Sequence, residues 1–355
     1  MKGDRMASRK KIICIALALS LLLLALTGCA PKKKKFQTTW FEWFDTFSTL
    51  TAYANSQAEF DRYAELCASY LEDYHKLLDI YHEYDGIQNL KTINDRAGEA
   101  VTIDERLGDF LQFGKDVDQL TNHTVNIGMG SVTALWHDAR MLATEDPDSA
   151  TLPNVDSLSE ARAHTDLNSL TVSEDKTTVC LTDERMSLDA GALGKGYGGR
   201  LISEVLSEAG CSSFLLNLGG NTVAWGEKPD GSSWLVGIES PSKEITFDNS
   251  IRLKNSALVT SGSYQRYFTV DGVRYHHIID PATGYPENRF LSVSVLCPDS
   301  ALADALSTAL FCMSEEDGTA LLSKVKGTEA LWILPNGTIH TTDGWTKFVQ
   351  QGGGS

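Results

Sequence analysis

Tight turns join short strand-like segments over the second half of the chain, and this order limits the fold most strongly. Val270-Asp271-Gly272-Val273 and Pro335-Asn336-Gly337-Thr338 have the composition of hairpin turns. Strands joined by such turns pair antiparallel. The sequence therefore predicts an α+β fold with largely antiparallel sheets flanked by helices, rather than the strict alternation of a doubly wound fold. The predicted strands cover residues 50–54, 169–172, 178–181, 214–218, 234–238, 256–260, 267–270, 276–279, 291–296, 330–334 and 338–341.

Apolar residues at alternating steps of three and four predict a long helix from Ser56 to about Tyr84. Most of this stripe should be core; it consists of Phe60, Tyr63, Cys67, Tyr70, Tyr74, Leu77 and Tyr81. Further helical patterns cover residues 105–121, 129–143, 194–209 and 300–313. The polar stretch 144–160 predicts a surface connection.

Positive charge is concentrated at the N-terminus. Residues 1–35 contain nine basic residues and one acidic residue, so residues 36–355 carry 22 basic and 46 acidic residues and a net charge of −24. A body this acidic offers no electrostatic surface for a nucleic-acid backbone. We therefore expect no nucleic-acid partner.

The N-terminus has the pattern of a secretory signal. Basic residues precede an apolar run from Ile12 to Leu26, which is too short for a comfortable membrane span. The run ends in Leu26-Thr27-Gly28-Cys29, which resembles a bacterial lipobox, although an ordinary signal peptide is the alternative. We expect a signal peptide over 1–28, a tether over 29–39 lipidated at Cys29, a main domain over 40–348 and a flexible tail over 349–355. This arrangement predicts a lipid-anchored protein on the extracytoplasmic face of the bacterial cell membrane.

The other cysteines of the mature chain are odd in number and widely spaced, with no C-x-x-C pair. This spacing supports neither a disulfide framework nor a zinc site. We expect small buried hydrophobic side chains at Cys67, Cys180, Cys211, Cys297 and Cys312.

A glycine-rich segment over residues 187–199 follows a predicted strand and leads into a predicted helix. Its glycines would let backbone N–H groups approach an anion at a helix N-terminus, and Lys195 would add a point charge. The segment matches neither a Walker A loop nor the dinucleotide-binding G-x-G-x-x-G pattern. A tight packing corner is the structural alternative.

Two more segments carry candidate chemistry. His276 and His277 are adjacent on a predicted strand, so they point to opposite faces and at most one enters a given site. A structural histidine is the alternative there.

Asp304 and Thr308 lie four residues apart on one face of an otherwise apolar helix, where a carboxylate and a hydroxyl can share a hard cation such as Mg²⁺. Compensation of the helix dipole by Asp304 is the alternative.

Taken together, these segments resemble the FAD:protein FMN transferases, the ApbE flavin transferase family. The resemblance covers about residues 40–345. Its motifs, in order, are Asp189-x-Gly191-x-x-x-Lys195-Gly196-Tyr197, Leu218-Gly219-Gly220-Asn221, Thr260-Ser261-Gly262-Ser263-Tyr264-Gln265-Arg266-Tyr267-Phe268, His277-Ile278-Ile279-Asp280-Pro281-x-Thr283-Gly284 and Ala303-Asp304-Ala305-x-x-Thr308-Ala309.

The resemblance implies a T-fold-like architecture and an Mg²⁺-dependent enzyme that cleaves its substrate FAD, attaches FMN to a Thr or Ser of an acceptor protein and releases AMP. The acceptor would be an extracytoplasmic or membrane redox protein. The implied roles are FAD contacts at Asp189 and Lys195, metal ligands at the Ala192 carbonyl, Asp304 and Thr308, a general base at His277, and cofactor-pocket positions at Phe44, Tyr81, Thr124, Val125, Asn126 and Ile278.

Three positions depart from the family pattern: Phe44 stands for Met, Asn126 for Asp, and Ser263 for a frequent Asp. Tyr81 is open between a flavin contact and a core position. The alternatives for function are an FAD pyrophosphatase that releases free FMN, a surface lipoprotein that binds flavin without chemistry, and a carrier that is itself flavinylated. The carrier alternative predicts an acceptor-type Ser/Thr motif, and the sequence contains no convincing one.

Overall fold

The computed structural model describes residues 33–44, 46–247 and 249–350. Its strands are β1 (Lys34–Trp40), β2 (Ser48–Ala54), β3 (Ala100–Thr102), β4 (Leu170–Val172), β5 (Thr178–Leu181), β6 (Phe214–Leu218), β7 (Asn221–Trp225), β8 (Trp234–Gly237), β9 (Ser250–Leu253), β10 (Ser256–Gly262), β11 (Tyr267–Val270), β12 (Val273–His276), β13 (Ile279–Asp280), β14 (Tyr285–Pro286), β15 (Ser292–Cys297), β16 (Glu329–Ile333) and β17 (Ile339–Thr341). Its helices are α1 (Gln57–Leu78), α2 (Leu90–Asp95), α3 (Glu105–Leu120), α4 (Gly130–Glu145), α5 (Val155–Arg162), α6 (Gly194–Glu208), α7 (Ser300–Cys312) and α8 (Glu315–Leu322).

The largest sheet has eight strands in the order β1-β2-β6-β7-β10-β15-β16-β17, and every neighbouring pair is antiparallel. The prediction of an α+β fold with antiparallel sheets is confirmed. β6 and β7 are joined by a two-residue turn at Gly219 and Gly220, both with positive φ, as a tight hairpin turn requires. A side chain at Gly219 would meet the Thr46 hydroxyl at 2.1 Å, so the turn packs closely on the residues before β2.

Both faces of this sheet are covered. Successive side chains of a strand point to opposite faces, and on β10 Ala257 and Val259 join the main helical core while Leu258 joins a second core. α6 and α7 pack against each other and against β7, β10 and β15 on the first face. The β8–β9 hairpin contributes Trp234 and Ile251 to the core on the other face.

Helix α6 lies so close to α7 that two of its glycines, Gly196 and Gly199, are required. A Cβ at Gly196 would lie 2.4 Å from the Asp304 Cβ and 2.5 Å from the Ser300 carbonyl oxygen, and a Cβ at Gly199 would lie 2.7 Å from the Ser300 hydroxyl. At the start of α7, Asp299 caps the helix and forms an ion pair with Arg200 of α6 at 2.8 Å. The glycine-rich segment is thus a packing corner as well as a lining of the cavity described below.

The four shorter predicted helices agree with α3, α4, α6 and α7 to within two residues. The long helix was predicted to extend to about residue 84, but α1 ends at Leu78, where Asp79 turns into extended backbone. Tyr81 therefore lies beyond the helix and is 55% exposed, so the core position, one of the two alternatives left open for it, is wrong. The polar stretch 144–160 contains the start of α5, which Asn154 caps, so it is only partly a loop.

Strand β1 was not predicted. Its residues 34–39 were assigned to a tether, but they pair along β2, so the folded domain begins at Lys34 rather than at residue 40. The strand predicted over 276–279 is interrupted at His277 and Ile278, between β12 and β13. Also missed were α2, α8, β3, β7, β9 and β14.

Four cysteines, Cys67, Cys211, Cys297 and Cys312, are buried and unpaired, as predicted, whereas Cys180 is only half-buried. Within the described ranges, no helix has the length and apolar character to cross a bilayer. The predicted signal peptide, the lipidation site Cys29 and residues 351–355 of the tail lie outside the described residues.

Candidate active site

One cavity of about 800 Å³ opens on the helical side of the large sheet. It is within the size range of small-molecule and cofactor sites. The structure brings every candidate cofactor, catalytic and metal residue of the sequence analysis into its lining, namely Phe44, Tyr81, Thr124, Val125, Asn126, Asp189, Ala192, Lys195, His277, Ile278, Asp304 and Thr308.

Asp304 sits where the two packed helices α6 and α7 meet. Its Oδ2 accepts a 2.7 Å hydrogen bond from the backbone N–H of Gly196, in the first turn of α6. The residue is only 5% exposed, and burial raises the pKa of its carboxyl, against the opposing effects of Lys195, the Gly196 N–H and the Asn221 amide. The sequence predicted that an anion would approach this helix N-terminus; the structure places a carboxylate of the chain itself there.

The second metal-ligand candidate on α7, Thr308, lies one helical turn after Asp304 and is half-buried at the cavity wall. Its hydroxyl has no hydrogen-bond partner within the described parts of the chain. Ser307, beside it, is used differently: its hydroxyl donates to the Asp304 carbonyl at 2.9 Å. Thr308 is therefore the hydroxyl on α7 that stays available to a ligand.

Asp189 is engaged by the protein. Its Oδ1 accepts from the Gly191 N–H at 2.7 Å, and its Oδ2 accepts from the Thr133 hydroxyl of α4 at 2.7 Å. These contacts tie the glycine-rich segment to α4. Asp189 lines the cavity as predicted, and the hydrogen bonds also give it a structural role that the sequence did not indicate.

The two adjacent histidines both border the cavity but have different environments, and because β12 ends at His276 the predicted alternation of strand faces does not apply to His277. His276 is buried; its Nε2 donates to the Glu287 carbonyl at 2.6 Å, and its Nδ1 accepts from the Ile278 N–H at 3.2 Å. This pattern fixes one neutral tautomer, and burial lowers the pKa of His276. His276 is thus a structural residue.

His277 lies in the cavity, where solvent reaches it. Its imidazole has no hydrogen-bond partner among the residues that the structure describes. Desolvation by the surrounding protein lowers the pKa of His277 below its ordinary value, and the positive charges of Lys195, Arg266 and Arg140 lower it further. The imidazole is therefore neutral near pH 7 and able to accept a proton.

Three cations border the same cavity: Lys195, Arg140 of α4 and Arg266, which follows β10. In the described part of the chain, the Lys195 ammonium forms no ion pair. Burial, together with the charge of Arg266, lowers the pKa of Arg140. This cluster gives the cavity a positive charge, which suits a phosphorylated ligand. The arginines were not predicted as site residues, although Arg266 belongs to one of the quoted motifs.

Comparison with known proteins agrees with this geometry. The ApbE family model matches residues 44–332, which is more than half of the chain. The chain belongs to the ApbE family. Two curated relatives are named FAD:protein FMN transferase: one from Treponema pallidum is 34% identical over 279 residues, 74% of this chain and 75% of that protein. The other, from Klebsiella pneumoniae, is 30% identical over 247 residues, 69% of this chain and 74% of that protein.

The fold agrees as well. The crystal structure of the ApbE protein from Thermotoga maritima superposes with a TM-score of 0.77 at 26% sequence identity. The superposition covers 90% of this chain and all of that one. The antiparallel sheet and its helical layer are thus the architecture of the ApbE family.

Asn126, where the ApbE pattern has Asp, is explained by its contacts. Its Nδ2 donates to the Thr165 carbonyl at 2.8 Å, and its Oδ1 accepts from the Gly128 N–H at 2.6 Å. An ionised Asp could not donate to that carbonyl. The amide therefore fixes the loop that presents Thr124 and Val125 to the cavity.

Phe44, the other departure at the cavity, has a left-handed backbone with φ of 56°, which is unusual for a bulky residue. Its ring lies 5.9 Å from the ring of His75 and lines the cavity.

Tyr81 also faces the cavity, because Asp79 accepts a hydrogen bond from its backbone N–H at 2.7 Å and orients the turn after α1. Its exposure favours a ligand contact over the core.

The donor set at α7 suits a hard cation. Among the described residues, no group of three or more His, Cys, Asp or Glu side chains is arranged for a metal, so a site built only from those side-chain types is absent there. Mg²⁺ binds instead through one or two carboxylates and completes its shell with substrate phosphates and water. The buried carboxylate of Asp304, the available Thr308 hydroxyl and the Ala192 carbonyl, all at the cavity wall, fit that requirement.

Proposed function

We propose that this chain is an Mg²⁺-dependent FAD:protein FMN transferase. The observation that carries the proposal is the presence, in one cavity, of a neutral histidine, a lysine without an ion pair in the described chain, and a buried carboxylate next to an available hydroxyl. The names of the curated relatives support the same activity.

The cavity binds FAD by charge and by shape. The pyrophosphate of FAD is doubly negative, and Lys195, Arg140 and Arg266 surround its binding region with positive charge. Tyr81 and Phe44 provide aromatic surface for the isoalloxazine ring. The departures from the family pattern leave these groups in place.

His277 performs the proton transfer. A Thr or Ser hydroxyl of the acceptor attacks the phosphorus on the FMN side of the pyrophosphate while an imidazole nitrogen of His277 takes its proton. The new P–O bond forms as the bond to the bridging oxygen breaks, and the electron pair leaves with AMP. Lys195 neutralises the charge that develops on the phosphate oxygens. No covalent intermediate on the enzyme is required.

Asp304, Thr308 and the Ala192 carbonyl are the residues that would hold Mg²⁺. When bound, the ion supplies charge neutralisation for the pyrophosphate. Asp304 also holds the first turn of α6 through Gly196 and so fixes the position of Lys195, the preceding residue. The same carboxylate therefore serves the metal and the lysine.

Mass spectrometry tests this function. The chain from residue 33, FAD and Mg²⁺ are incubated with a purified extracytoplasmic redox domain, and AMP and free FMN are followed in parallel. A transferase adds one FMN phosphodiester to a Thr or Ser of the acceptor and releases AMP. Equal amounts of free FMN and AMP, without an adduct on any acceptor domain tried, would favour the pyrophosphatase instead, since water would then take the place of the hydroxyl.

We further propose that Cys29 is lipidated and anchors the enzyme to the extracytoplasmic face of the cell membrane. The lipobox-like Leu26-Thr27-Gly28-Cys29 supports this proposal. Membrane fractionation of the full-length chain and of Cys29→Ser in a bacterial host tests it. The unchanged chain should partition into detergent and incorporate labelled fatty acid, and equal partitioning of the two would contradict the anchor.

A further inference from the structure

Seven residues between β1 and β2, numbered 41–47 and here called the aromatic turn, connect the cavity with the protein surface. The turn has the sequence Phe-Glu-Trp-Phe-Asp-Thr-Phe, and Asp45 lies outside the described residues. Phe44 and Thr46 line the cavity. Phe41 and Phe47 instead lie outside the cavity lining and are exposed. One short segment therefore contributes to both the FAD site and the outer surface.

The rings of Phe41 and Phe47 form a patch and are not isolated exposed residues. Phe41 is 67% exposed and Phe47 is 64% exposed, the highest values for large hydrophobic side chains among the described residues. Their ring centroids are 5.0 Å apart in an edge-to-face arrangement. Other exposed apolar side chains, such as Leu235 and Val273, belong to separate elements. Exposed apolar side chains that cluster, unlike those scattered singly, mark a candidate interaction site.

The local backbone holds this arrangement. Phe44 has the left-handed φ of 56°, a strained conformation for a bulky residue that persists only where the surrounding structure fixes it. Beside it, Trp40 and Trp43 pack on each other with ring centroids 6.0 Å apart. The patch thus lies beside packed tryptophans and next to residues that line the cavity.

The charge of the aromatic turn indicates which kind of partner binds there. Glu42 is exposed on the turn, and the sequence of residues 41–47 contains two acidic residues and no basic one. An acidic surface repels anionic lipid headgroups and a second copy of the chain, whereas it attracts a basic protein segment. The transferred FMN must meet an acceptor hydroxyl inside the cavity, so the acceptor contacts surface beside the cavity, and the aromatic turn supplies such surface next to Phe44 and Thr46.

We propose that Phe41 and Phe47 are the docking surface for the acceptor protein, which contributes an apolar side chain to the pair and a basic residue to Glu42. The inference rests on the proposed function, which requires a protein acceptor. It adds the place where that acceptor binds and the chemistry that recognises it.

Peptide binding without FAD or Mg²⁺ tests the surface independently of catalysis. Two fluorescein-labelled peptides of equal length each contain a central Thr; one has Leu and two Lys beside it, and the matched peptide has Ser and two Glu. Fluorescence anisotropy should show about tenfold tighter binding of the apolar, basic peptide. The variant Phe41→Ser/Phe47→Ser should lose most of this preference, and Glu42→Gln should lose the part that depends on the lysines. The control Leu235→Ser/Val273→Ser, at exposed positions outside the cavity, should keep it.

Several results would overturn the docking surface. One is a peptide preference in the Phe41→Ser/Phe47→Ser variant that equals that of the unchanged chain. Another is the absence of any preference in the unchanged chain. A third is a variant that keeps its peptide preference and loses only its binding to phosphatidylglycerol vesicles or its self-association. A catalytic measurement completes the test: the variant should raise the acceptor KM about tenfold with little change in kcat or in the Kd for FAD. If the peptide preference depends on the patch but no FMN is transferred, the proposed function fails and the binding surface remains.

Discussion

The backbone N–H of Gly196 donates a 2.7 Å hydrogen bond to Oδ2 of Asp304, and this contact joins the first turn of α6 to the buried face of α7. Gly196 allows it because the two helices leave no room for a side chain there. One pair of residues therefore links the glycine-rich motif to the candidate metal ligand.

Gly196→Ala should disturb both the fold and the site. Its methyl group would lie 2.4 Å from the Asp304 Cβ and would force α6 and α7 apart, lowering the free energy of unfolding by about 1–3 kcal/mol. Gly198→Ala is the matched control, since nothing lies within 4 Å of its added methyl and alanine favours a helix by about 0.5–1 kcal/mol. Urea denaturation measures both; equal stability of the two variants would contradict the packing argument.

Asp304→Asn should remove metal binding without unfolding the protein. The amide oxygen can still accept from Gly196, and the substitution removes a charge that burial disfavours. We expect a metal-free melting temperature no lower than that of the unchanged chain. Mg²⁺ should raise the melting temperature of the unchanged chain, not of the variant, and turnover should fall by a factor of at least about 100. Mg²⁺-dependent turnover at the unchanged rate would refute the assignment of Asp304 as a ligand.

His277→Gln should slow FMN transfer by about 10²–10⁴-fold and leave the Kd for FAD nearly unchanged, as expected for a general base. The lowered pKa of His277 also predicts a pH dependence. The base must be neutral, and a lowered pKa keeps it neutral on acidification, so kcat/KM should stay level as the pH falls below the ordinary histidine value of about 6.5. A loss of FAD affinity with unchanged kcat, or an activity drop centred near pH 6.5, would count against this role.

Tyr81→Ala should weaken FAD binding up to about tenfold, because an aromatic contact with the flavin is lost. Its melting temperature should be unchanged, since Tyr81 is 55% exposed. Tyr74→Ala, at a position that is 4% exposed on α1, is the comparison and should lower stability by about 3 kcal/mol. If Tyr81→Ala were destabilised with normal FAD affinity, the core assignment would have to be restored.

Arg140→Met should raise the KM for FAD about tenfold and make it less sensitive to salt, because one of three cations at the cavity is removed while its apolar stem is retained. Arg185→Met serves as the control. Arg185 forms an exposed ion pair with Glu160 outside the cavity lining, so its substitution should change neither quantity. Steady-state kinetics at two salt concentrations distinguish these outcomes.

Periodic segments and ordered motifs were enough to predict much of this fold and site. α3, α4, α6 and α7 were predicted because their apolar spacing is regular, and Asp304 and His277 were identified because family motifs surround them. The end of α1 was not predicted, since the tyrosine spacing continues to Tyr81 after the backbone has turned at Asp79. That turn depends on hydrogen bonds from Tyr84 and His82 to Asp79, which spacing does not reveal.

Other features depend on residues that are distant in sequence. Arg140 and Lys195 come from different helices and meet only in the folded chain. Strand β1 has a polar sequence, Lys-Lys-Phe-Gln-Thr-Thr-Trp, and is a strand because β2 pairs with it. The Asp189–Thr133 hydrogen bond likewise joins segments 56 residues apart.

Strand β1 also sets a limit on where an anchored enzyme could work. If Cys29 carries the lipid, only residues 30–33 separate it from β1, and an extended chain spans about 3.3–3.6 Å per residue. The edge of the large sheet would then stay within roughly 20 Å of the bilayer. An enzyme held this close to the bilayer could not diffuse through the surrounding solution to reach its protein substrate. It would serve neighbours held in the same membrane, and the rate of flavin attachment would follow their lateral diffusion and their height above the lipid surface.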